Sequence, residues 1–308
     1  MKRRTFCGLT LSTFSLAIAS CKTSRFIRIG AGNPGGAFFV FAGAISTLLE
    51  SAGMSPRVQT TGGGAQNAIL LDMGELDIAI MNNIDAAQAL YEDHRLNVRS
   101  IMPIFNGTHH FVVNADEPIY TLSDLEQQPF GLGNRGSTHD VAAKQIFEIL
   151  NISPRIQNAG KGDTNNMVRD GLLSGFFATS AVPMPAILEL QTSLSLRLLE
   201  FSDEEYLRVQ NHAPWLIKDS ISPVYNGLEG PVKSFSSWSA LMANKNVEDQ
   251  VIYDILSACY SGASSIKRAH QSADINPNLI STLVAPLHPG AESYYRDQGI
   301  VIPDDLVS

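Results

Sequence analysis

Short apolar runs alternate with longer amphipathic stretches along the first third of the chain. Each of three strand-like runs is followed, after a turn, by apolar residues at helical spacing. This alternation is typical of an α/β protein whose sheet is mainly parallel. The predicted pairs are strand Phe26–Ile29 with helix Phe38–Ser51, strand Arg57–Thr60 with helix Ala65–Met73, and strand Leu76–Met81 with helix Asp85–Tyr91.

A second series of the same kind begins after the apolar run Phe111–Asn114. The segment Ala115–Pro118 that follows this run is too short to be a flexible linker. We therefore expect two α/β lobes joined by a hinge of two strands, not two independent domains. The predicted elements are a short capped helix at Leu122–Leu125, a strand at Phe130–Leu132, a helix at His139–Leu150, a strand around Phe176-Phe177 and a helix from Pro185.

The first predicted strand runs into a glycine pattern, because Gly30, Gly32 and Gly35 spell G-x-G-x-x-G. A dinucleotide site of this kind also needs an acidic residue at the end of the next strand, where it holds the ribose hydroxyls. That strand ends in Thr61-Gly-Gly-Gly64, and the nearby Glu50 lies inside a predicted helix. We therefore expect no nicotinamide cofactor. The glycine pattern still predicts a helix N-terminus that can bind an anion.

Four turns rich in Gly or Pro lead from a predicted strand into a predicted helix. In an open α/β sheet, such turns gather at the carboxyl ends of the strands, where ligands bind. Glycine allows close backbone approach, and each helix N-terminus carries about half a positive charge. Four such turns together favour a small anionic ligand held largely by backbone donors. They are the first turn (Gly30–Gly36), the second turn (Thr61–Gly64), the third turn (Gly133–Thr138) and the fourth turn (Thr179–Pro185).

Side chains in these turns have two interpretations. Ser137 or Thr138 could donate a hydrogen bond to a ligand carboxylate, or could simply cap the helix that follows. Asn82-Asn83 follows a predicted strand and so points at the same cleft, unless it only forms a turn. Arg135 is the one cation in the four turns, and it either pairs with a distal carboxylate of the ligand or is a solvated loop residue.

Composition and charge narrow the class of protein. The chain has 308 residues, of which 44% are hydrophobic, and no apolar run after the N-terminus is long enough to cross a bilayer. Residues 1–20 have the basic start, short apolar stretch and small-residue exit of a signal peptide. Their removal leaves 19 Lys and Arg against 30 Asp and Glu, a formal charge of −11, so nucleic acid is not an expected partner.

The signal segment ends in Ile18-Ala-Ser-Cys21, which resembles the lipobox of bacterial lipoproteins. In that motif the cysteine is diacylated and becomes the new N-terminus. Arg3-Arg4 is compatible with either twin-arginine or general export. Cys259 lies among apolar residues at helical spacing and is expected to be a buried, inert thiol.

The residues give little support to the hypothesis that the protein is an enzyme. Ser137, His139 and Asp140 are close together in sequence, but a nucleophilic serine needs a G-x-S-x-G elbow with its partners brought from far along the chain. His109-His110 lies in a strand pattern, where adjacent side chains point to opposite faces and cannot share a metal. We expect no catalytic residue, no metal and no cofactor.

Seven motifs, in order over nearly the whole mature chain, resemble the TAXI family of extracytoplasmic solute-binding proteins, which serve tripartite ATP-independent periplasmic (TRAP) transporters. Ile29-Gly-Ala-Gly-Asn-Pro-Gly-Gly-Ala-Phe-Phe39 is similar to the family's I-G-T-G-x-x-G-G-T-Y-Y. Thr61-Gly-Gly-Gly-Ala-Gln-Asn67 is similar to T-G-G-S-x-x-N. The others are Gly74–Ala79, Asp124-Leu125, Gly133–Thr138, Asp170-Gly171 with Phe176-Phe177, and His288–Gly299, with single matches at Pro183 and Tyr225.

The resemblance implies the type II periplasmic-binding-protein fold, with a ligand cleft between two α/β lobes and closure on the solute. Lobe I is expected to be discontinuous, over residues 26–114 plus 222–308, and lobe II to cover residues 115–221. The resemblance also implies delivery to integral-membrane TRAP permease subunits. Known ligands in the family are glutamate, glutamine or 2-oxoglutarate-like molecules.

Departures from the family pattern leave the solute open. Ala31 and Ala37 stand where the family has Thr, Gly64 stands where it has Ser, and Phe38-Phe39 replaces Tyr-Tyr. The expected cleft has therefore lost hydroxyl donors, each worth about 0.5–1.5 kcal/mol where nothing compensates. The expected ligand contacts are Gly32, Gly35, Gly36, Phe38, Asn82, Arg135, Gly136, Ser137, Thr138, Pro183 and Tyr225.

The sequence thus predicts a non-enzymatic, lipid-anchored solute-binding protein on the outer side of a bacterial membrane, either periplasmic or at the cell surface. It would capture a small organic anion or amino acid for a membrane permease. The alternative is a ligand-sensing or scaffold lipoprotein of the same fold without a dedicated transporter. An adjacent gene for a multi-spanning membrane protein would favour the transport function over the sensing or scaffold function.

We predict that Cys21 carries the lipid anchor. Each buried methylene of an acyl chain adds roughly 0.8 kcal/mol of membrane affinity, so several chains hold a protein on the bilayer. Replacement Cys21→Ala should move the protein from the membrane fraction to the soluble fraction, as measured by fractionation and intact-mass analysis. An unacylated, freely soluble wild-type protein would contradict this prediction.

Overall fold

The computed structural model describes residues 26–32, 34 and 36–308. The signal segment, Cys21, Asn33 and Gly35 lie outside these residues. The described strands are β1 (Phe26–Gly30), β2 (Ser55–Gln59), β3 (Ile78–Asn82), β4 (Val98–Asn114), β5 (Pro129–Gly131), β6 (Arg155–Gln157), β7 (Gly175–Ser180), β8 (Leu196–Leu199), β9 (Ile217–Ile221) and β10 (Val232–Asn244).

The strands alternate with helices over most of the described chain. The helices are α1 (Ala37–Ser51), α2 (Gly64–Asp72), α3 (Asn83–Ala87), α4 (Thr138–Leu150), α5 (Lys161–Arg169), α6 (Pro185–Leu190), α7 (Asp203–His212), α8 (Asp249–Ser261), α9 (Ala263–Ala269) and α10 (Pro289–Asp297). A single π turn spans Gln88–Glu92, and short 3-10 turns span Leu122–Leu125, Pro277–Thr282 and Asp304–Leu306.

One continuous sheet carries the fold, with the main strand order β2-β1-β3-β10-β4-β7-β5-β6. β2, β1 and β3 are parallel at one end, and β7, β5 and β6 are parallel at the other. β4 and β10 lie between these groups and run antiparallel to their neighbours. We call the elements around β1–β3 the first lobe and those around β5–β7 the second lobe.

Two long strands connect the lobes. Residues 98–108 of β4 pair with residues 236–244 of β10 in the first lobe. Beyond this point the two strands separate, because β4 continues between β7 and β8 while the start of β10 pairs with β9. The chain therefore crosses between lobes on paired strands, as expected for a two-strand hinge.

The first lobe packs helices on both faces of its half of the sheet. β3 is buried at every position, as expected for a strand covered on both faces. α1 turns Phe41, Ala42, Ile45 and Leu49 towards the core, which is the stripe that a helical period produces. Burial of this apolar surface is the main stabilising term, at roughly 25 cal/mol per Å².

Aromatic side chains dominate the core of the second lobe. Phe111 of β4 lies 4.7 Å from Phe177 and 5.7 Å from Phe201, measured between ring centroids. Phe130 and Phe147 complete the cluster. One member of this buried cluster comes from the first lobe, because Ile84 of α3 packs with it.

The observed elements follow the predicted ones closely at their starts and differ in extent. The run Phe111–Asn114 is only the end of a 17-residue strand. The predicted helix Asp85–Tyr91 is a five-residue α-helix continued by a π turn. The proposed lobe boundaries fall at the last residues of β4 and β9, Asn114 and Ile221, and we keep them as a proposal.

Gly175 provides a test of the packing between β4 and β7. A Cβ atom at this position would overlap the carbonyl oxygen of Val112, which is backbone and has no room to move. We expect Gly175→Ala to lower the free energy of unfolding by about 1–3 kcal/mol, measured by urea denaturation. Gly43→Ala, in an exposed part of α1 with open space around it, is the control and should raise stability by roughly 0.5–1 kcal/mol. Equal effects of the two changes would contradict this account.

Candidate functional site

The four glycine-rich and proline-rich turns lie where the sequence placed them, between a strand and the helix that follows. The first turn joins β1 to α1 and the second joins β2 to α2. The third turn joins β5 to α4 and the fourth joins β7 to α6. All four strands belong to the parallel parts of the sheet, so the turns lie at carboxyl ends on both sides of the β4–β10 pair.

The second and third turns contact each other across the two lobes. A Cβ atom built on Gly63 would lie 3.5 Å from the Cα of Ser137 and 3.7 Å from the carbonyl oxygen of Gly136. Gly63 and Gly136 have φ values of 121° and 72°, which L-residues with a side chain rarely adopt. The two glycines therefore allow backbone from both lobes to meet at the site.

Asp85 is the titratable group at this junction, and the sequence analysis did not single it out. It belongs to α3 of the first lobe and is 2% exposed. Its Oδ2 accepts a hydrogen bond from the backbone N–H of Asn82 at 3.2 Å and another from Thr138 Oγ1 at 2.9 Å. A side chain at Gly64 would overlap this carboxylate, so the carboxyl group occupies the space that a side chain on α2 would take.

Burial raises the pKa of Asp85 to about 7, while the hydrogen bonds from Thr138 and Asn82 oppose that shift. The carboxyl lies beside the first residues of α2 and α4, whose N–H groups favour a negative charge. Its second oxygen, Oδ1, is buried and has no hydrogen-bond partner among the described residues. A buried carboxyl group thus already occupies the junction, and one of its two oxygens is unsatisfied.

Three of the predicted ligand-binding side chains take part in hydrogen bonds within the protein. Ser137 caps α4, because its Oγ accepts from the backbone N–H of Asp140 at 3.4 Å. Thr138 donates to Asp85. Asn82 caps α3 and donates to the carbonyl of Ser237 at 3.3 Å. Ser137 uses its Oγ as an acceptor and so keeps its O–H for a ligand, whereas the single O–H of Thr138 is donated to Asp85. The ligand roles of both residues stay predictions.

Tyr225 and Pro183 lie together at the fourth turn. The Tyr225 hydroxyl accepts from the backbone N–H of Met184 at 2.6 Å and lies 3.0 Å from His110 Nε2. Tyr225 is 3% exposed, so it positions the turn around Pro183 from beneath. Arg135, in the third turn, is exposed to solvent.

The first turn is described in part. Gly32 has a φ of 146°, and Gly36 is the residue before the first turn of α1, where no side chain caps the helix. Phe38 packs edge-on against Phe105 at 6.3 Å between ring centroids and lies against Gly32. Gly35 lies outside the described residues. The turn therefore presents uncapped helix N–H groups beside an aromatic wall.

A polar stretch of β4 and β10 lies between the lobes and was also missed by the sequence analysis. Asn106 Nδ2 donates to Ser236 Oγ at 2.9 Å, and His109 Nε2 lies 3.2 Å from Ser237 Oγ. Burial lowers the pKa of His109 to about 3, so this imidazole is neutral. The signal that could have found these residues is the run of polar side chains inside an otherwise apolar strand.

A small pocket in the second lobe opens next to the third turn. It is lined by Gly133, His139, Thr164, Asn165, Phe176, Phe177, Ala178, Met184 and Ala186. Among residues 26–308 that are described, no cluster of His, Cys, Asp or Glu has metal-binding geometry. In the same part of the chain, none of the helices combines the length and apolar character needed to cross a membrane.

The sequence profile of the NMT1-like family matches residues 29–299. Similar solved structures include XAC2383 from Xanthomonas citri bound to ATP, with 11% identity, a TM-score of 0.56 and coverage of 88% of this chain and 94% of that one. A binding protein component of an ABC phosphonate transporter from Pseudomonas aeruginosa is 14% identical, with a TM-score of 0.51 and coverage of 84% of both chains. A histidine kinase sensor domain similar to periplasmic binding proteins is 12% identical, with a TM-score of 0.51 and coverage of 82% of this chain and 98% of that one.

These similarities are in fold. They confirm the prediction of an α/β, two-lobed fold of the periplasmic-binding-protein type. At 11–14% identity these similarities show the fold alone.

The pKa of Asp85 generates a prediction about stability. Its carboxyl stays protonated in the folded protein up to about pH 7, whereas in the unfolded chain it ionises near its ordinary value of 3.8. The folded state therefore binds the extra proton between these values, and stability falls as the pH rises through this window. Relative to Asp85→Asn, the wild-type protein should lose a few kcal/mol of unfolding free energy between about pH 4 and pH 7, because each pKa unit is about 1.4 kcal/mol.

The measurement is urea denaturation of both proteins at pH 4.5, 6 and 8. Taking the difference between the two proteins removes the titration of all other groups. A difference that does not change with pH would mean that Asp85 is solvated in the folded protein.

Proposed function

The chain belongs to the NMT1-like family, and from that premise we propose that it is a non-enzymatic solute-binding protein that captures a small organic anion or amino acid in the cleft between its lobes. The single observation that carries this proposal is the contact of Gly63 with Gly136 and Ser137. It places turns from both lobes against each other at the carboxyl ends of parallel strands. A solute between such turns would contact both lobes and so favour their closure.

The chemistry of the turns supports an acidic or zwitterionic solute. The residues that precede α1 and α2 are glycines, Gly36 and Gly63, and the first N–H groups of both helices have no side-chain cap. Such N–H groups bind carboxylate or phosphate oxygens. Two of the similar structures fit this chemistry, since one is bound to ATP and another belongs to a phosphonate transporter.

We further propose that the protein works outside the cytoplasm, anchored by lipid at Cys21, and delivers its solute to integral-membrane permease subunits of the TAXI-type TRAP class. The motifs that resemble the TAXI family support this subtype. The ligand would then be glutamate-like or 2-oxoglutarate-like, with Phe38 against its carbon chain and Arg135 as a partner for a distal carboxylate.

A second function is a ligand-sensing or scaffold lipoprotein without a dedicated transporter. The similarity in fold to a histidine kinase sensor domain supports this sensing role as the second candidate. Capture of the protein by a permease encoded next to it, in a solute-dependent pull-down, would favour the transport role.

The test of the cleft assignment is Ser137→Ala, after a thermal-shift screen of small carboxylates and amino acids has found a ligand. A ligand at 100 times its dissociation constant adds about 2.7 kcal/mol of stability, which such a screen detects readily. If Ser137 donates to a ligand carboxylate, its loss should weaken binding by roughly 10- to 150-fold in calorimetry. Gly36→Val should abolish binding, because a bulky side chain blocks the approach of the ligand to the backbone.

Ser202→Ala is the matched control, because Ser202 caps α7 in the same way, with its Oγ accepting from the backbone N–H of Glu205 at 3.3 Å. Each alanine variant should lose about 0.5–2 kcal/mol of stability through the lost cap. Only Ser137→Ala should lose affinity. Lower stability with unchanged affinity in both variants would show that Ser137 is a cap and nothing more.

A further inference from the structure

We propose that Asp85 is a specificity-determining residue of the cleft and that it selects solutes that carry a protonated amine. The inference rests on the proposed solute-binding function and narrows its ligand class. It separates amino acids and other amines from carboxylates of the same size that have no amine.

The position of Asp85 links ligand choice to lobe closure. Asp85 belongs to α3 of the first lobe, and Thr138, which donates to its Oδ2, begins α4 of the second lobe. Part of the surface that covers the carboxyl therefore belongs to the second lobe. Ile84, the preceding residue, packs in the hydrophobic cluster of the second lobe, so α3 is the element of the first lobe that docks there.

The unsatisfied oxygen of Asp85 needs a donor. A buried acceptor without a partner costs free energy, and a buried carboxylate costs more. Oδ1 has no partner among the described residues, and nothing but Thr138 and the Asn82 N–H donates to Oδ2. A ligand ammonium carries three donors and a positive charge, and so satisfies both needs at once.

No charged group among the described residues of the surrounding elements supplies that positive charge. On α4, Asp140 pairs with Lys144 at 2.8 Å, and His139 Nδ1 accepts from the backbone N–H of Thr179. On β4, His109 is neutral because burial lowers its pKa. The pKa of Asp85 accordingly reflects burial and two hydrogen bonds, with no charged neighbour among its causes.

Two other buried acceptors, on α2 and β4, also lack a donor among the described residues. Asn67 uses its Nδ2 to donate to the carbonyl of Ile80 at 2.8 Å, and Asn106 uses its own to donate to Ser236. The Oδ1 atoms of both asparagines lack a partner among the described residues. A solute made only of carboxylates would add another negative group beside Asp85, whereas an amine would supply donors.

The experiment compares matched pairs of probes, namely the proteinogenic amino acids and their 2-oxo acid counterparts, which differ only at the amine. For the wild-type protein we expect the best amino acid to bind roughly 10- to 150-fold more tightly than its 2-oxo partner, as for a charge-assisted hydrogen bond. In Asp85→Asn, which keeps the shape and the acceptor for Thr138, the two should bind with nearly equal affinity.

Asp219→Asn is the matched control. Thr108 Oγ1 donates to Asp219 Oδ2 at 2.9 Å, the same distance as in the Thr138–Asp85 pair, but Asp219 lies on β9 outside the cleft and is only partly buried. This variant should keep the wild-type preference for the amine. Wild-type binding of the 2-oxo acids alone, or an equal preference in Asp85→Asn and wild type, would overturn the proposal and leave the solute-binding function intact.

A second arm of the experiment needs no ligand. Ionised Asp85 disfavours burial, so the unliganded wild-type protein should open between pH 5.5 and pH 8.5, whereas Asp85→Asn should not. Tyr91 and Trp215 provide the optical signal, since they stack across the lobes at 6.4 Å between ring centroids, and Trp215→Phe is the control for its origin. X-ray scattering gives the radius of gyration in parallel.

The second arm also separates the two proposals. If neither the amino acids nor the 2-oxo acids bind, the proposed ligand class is wrong. The role of Asp85 is then tested by the pH-dependent opening of the lobes alone. No pH-dependent opening in wild type, or the same opening in Asp85→Asn, overturns the inference.

Discussion

The antiparallel pairing of β4 with β10 is the constraint on which the rest of the structure depends. These strands carry the lobes at their two ends, so every contact between the lobes is set by how they run and twist. Their register shifts twice, between Ser239 and Ala240 and between Leu241 and Met242. Irregularities of this kind bend a strand and increase its twist. The bend falls where the polar residues of β10 give way to apolar ones, at the floor between the lobes.

Apolar and polar residues occupy different parts of β4 and β10, and the two parts have different roles. In the first lobe β10 is apolar from Ala240 to Ala243 and lies in the core. At the crossing between lobes, serine side chains from β10 meet Asn82, Asn106 and His109. Buried polar groups are stable only when they are hydrogen-bonded, and these largely are. The few side-chain atoms left without a partner among the described residues, Asp85 Oδ1 among them, are therefore informative.

Much of the fold could be predicted from the sequence because most elements are local. Strand starts, the glycine turns and the helices after them follow from apolar runs and from residues that tolerate unusual backbone angles. The full length of β4 could not be predicted, since Asn106 and Thr108 interrupt the apolar pattern that marks a strand, although His109-His110 already lay in a strand pattern. Their burial depends on partners in β9 and β10, which lie more than a hundred residues away.

The positions of the turns could be predicted from the sequence, whereas the buried carboxyl group of Asp85 could not. Third-turn residues Gly136 and Ser137 meet the first lobe as expected of a cleft, but through Gly63 of the second turn. Asp85 gave no signal in the sequence, because an acidic residue near the start of a helix is ordinary and its burial is a property of both lobes together. Tyr225 matched a family motif, yet its hydroxyl lies in contacts with Met184 and His110.

One departure from the family pattern gains a physical meaning from Asp85. Gly64 stands where the family has a serine, which in sequence terms is the loss of a hydroxyl donor. In the structure a side chain at Gly64 would overlap the carboxyl group of Asp85, so the buried acid in this position requires the glycine. The hydroxyl is thus replaced by an acceptor at the same place between α2 and α4. A site that exchanges a donor for an acceptor reverses what it asks of its ligand, which is the physical basis for proposing an amine-bearing solute here.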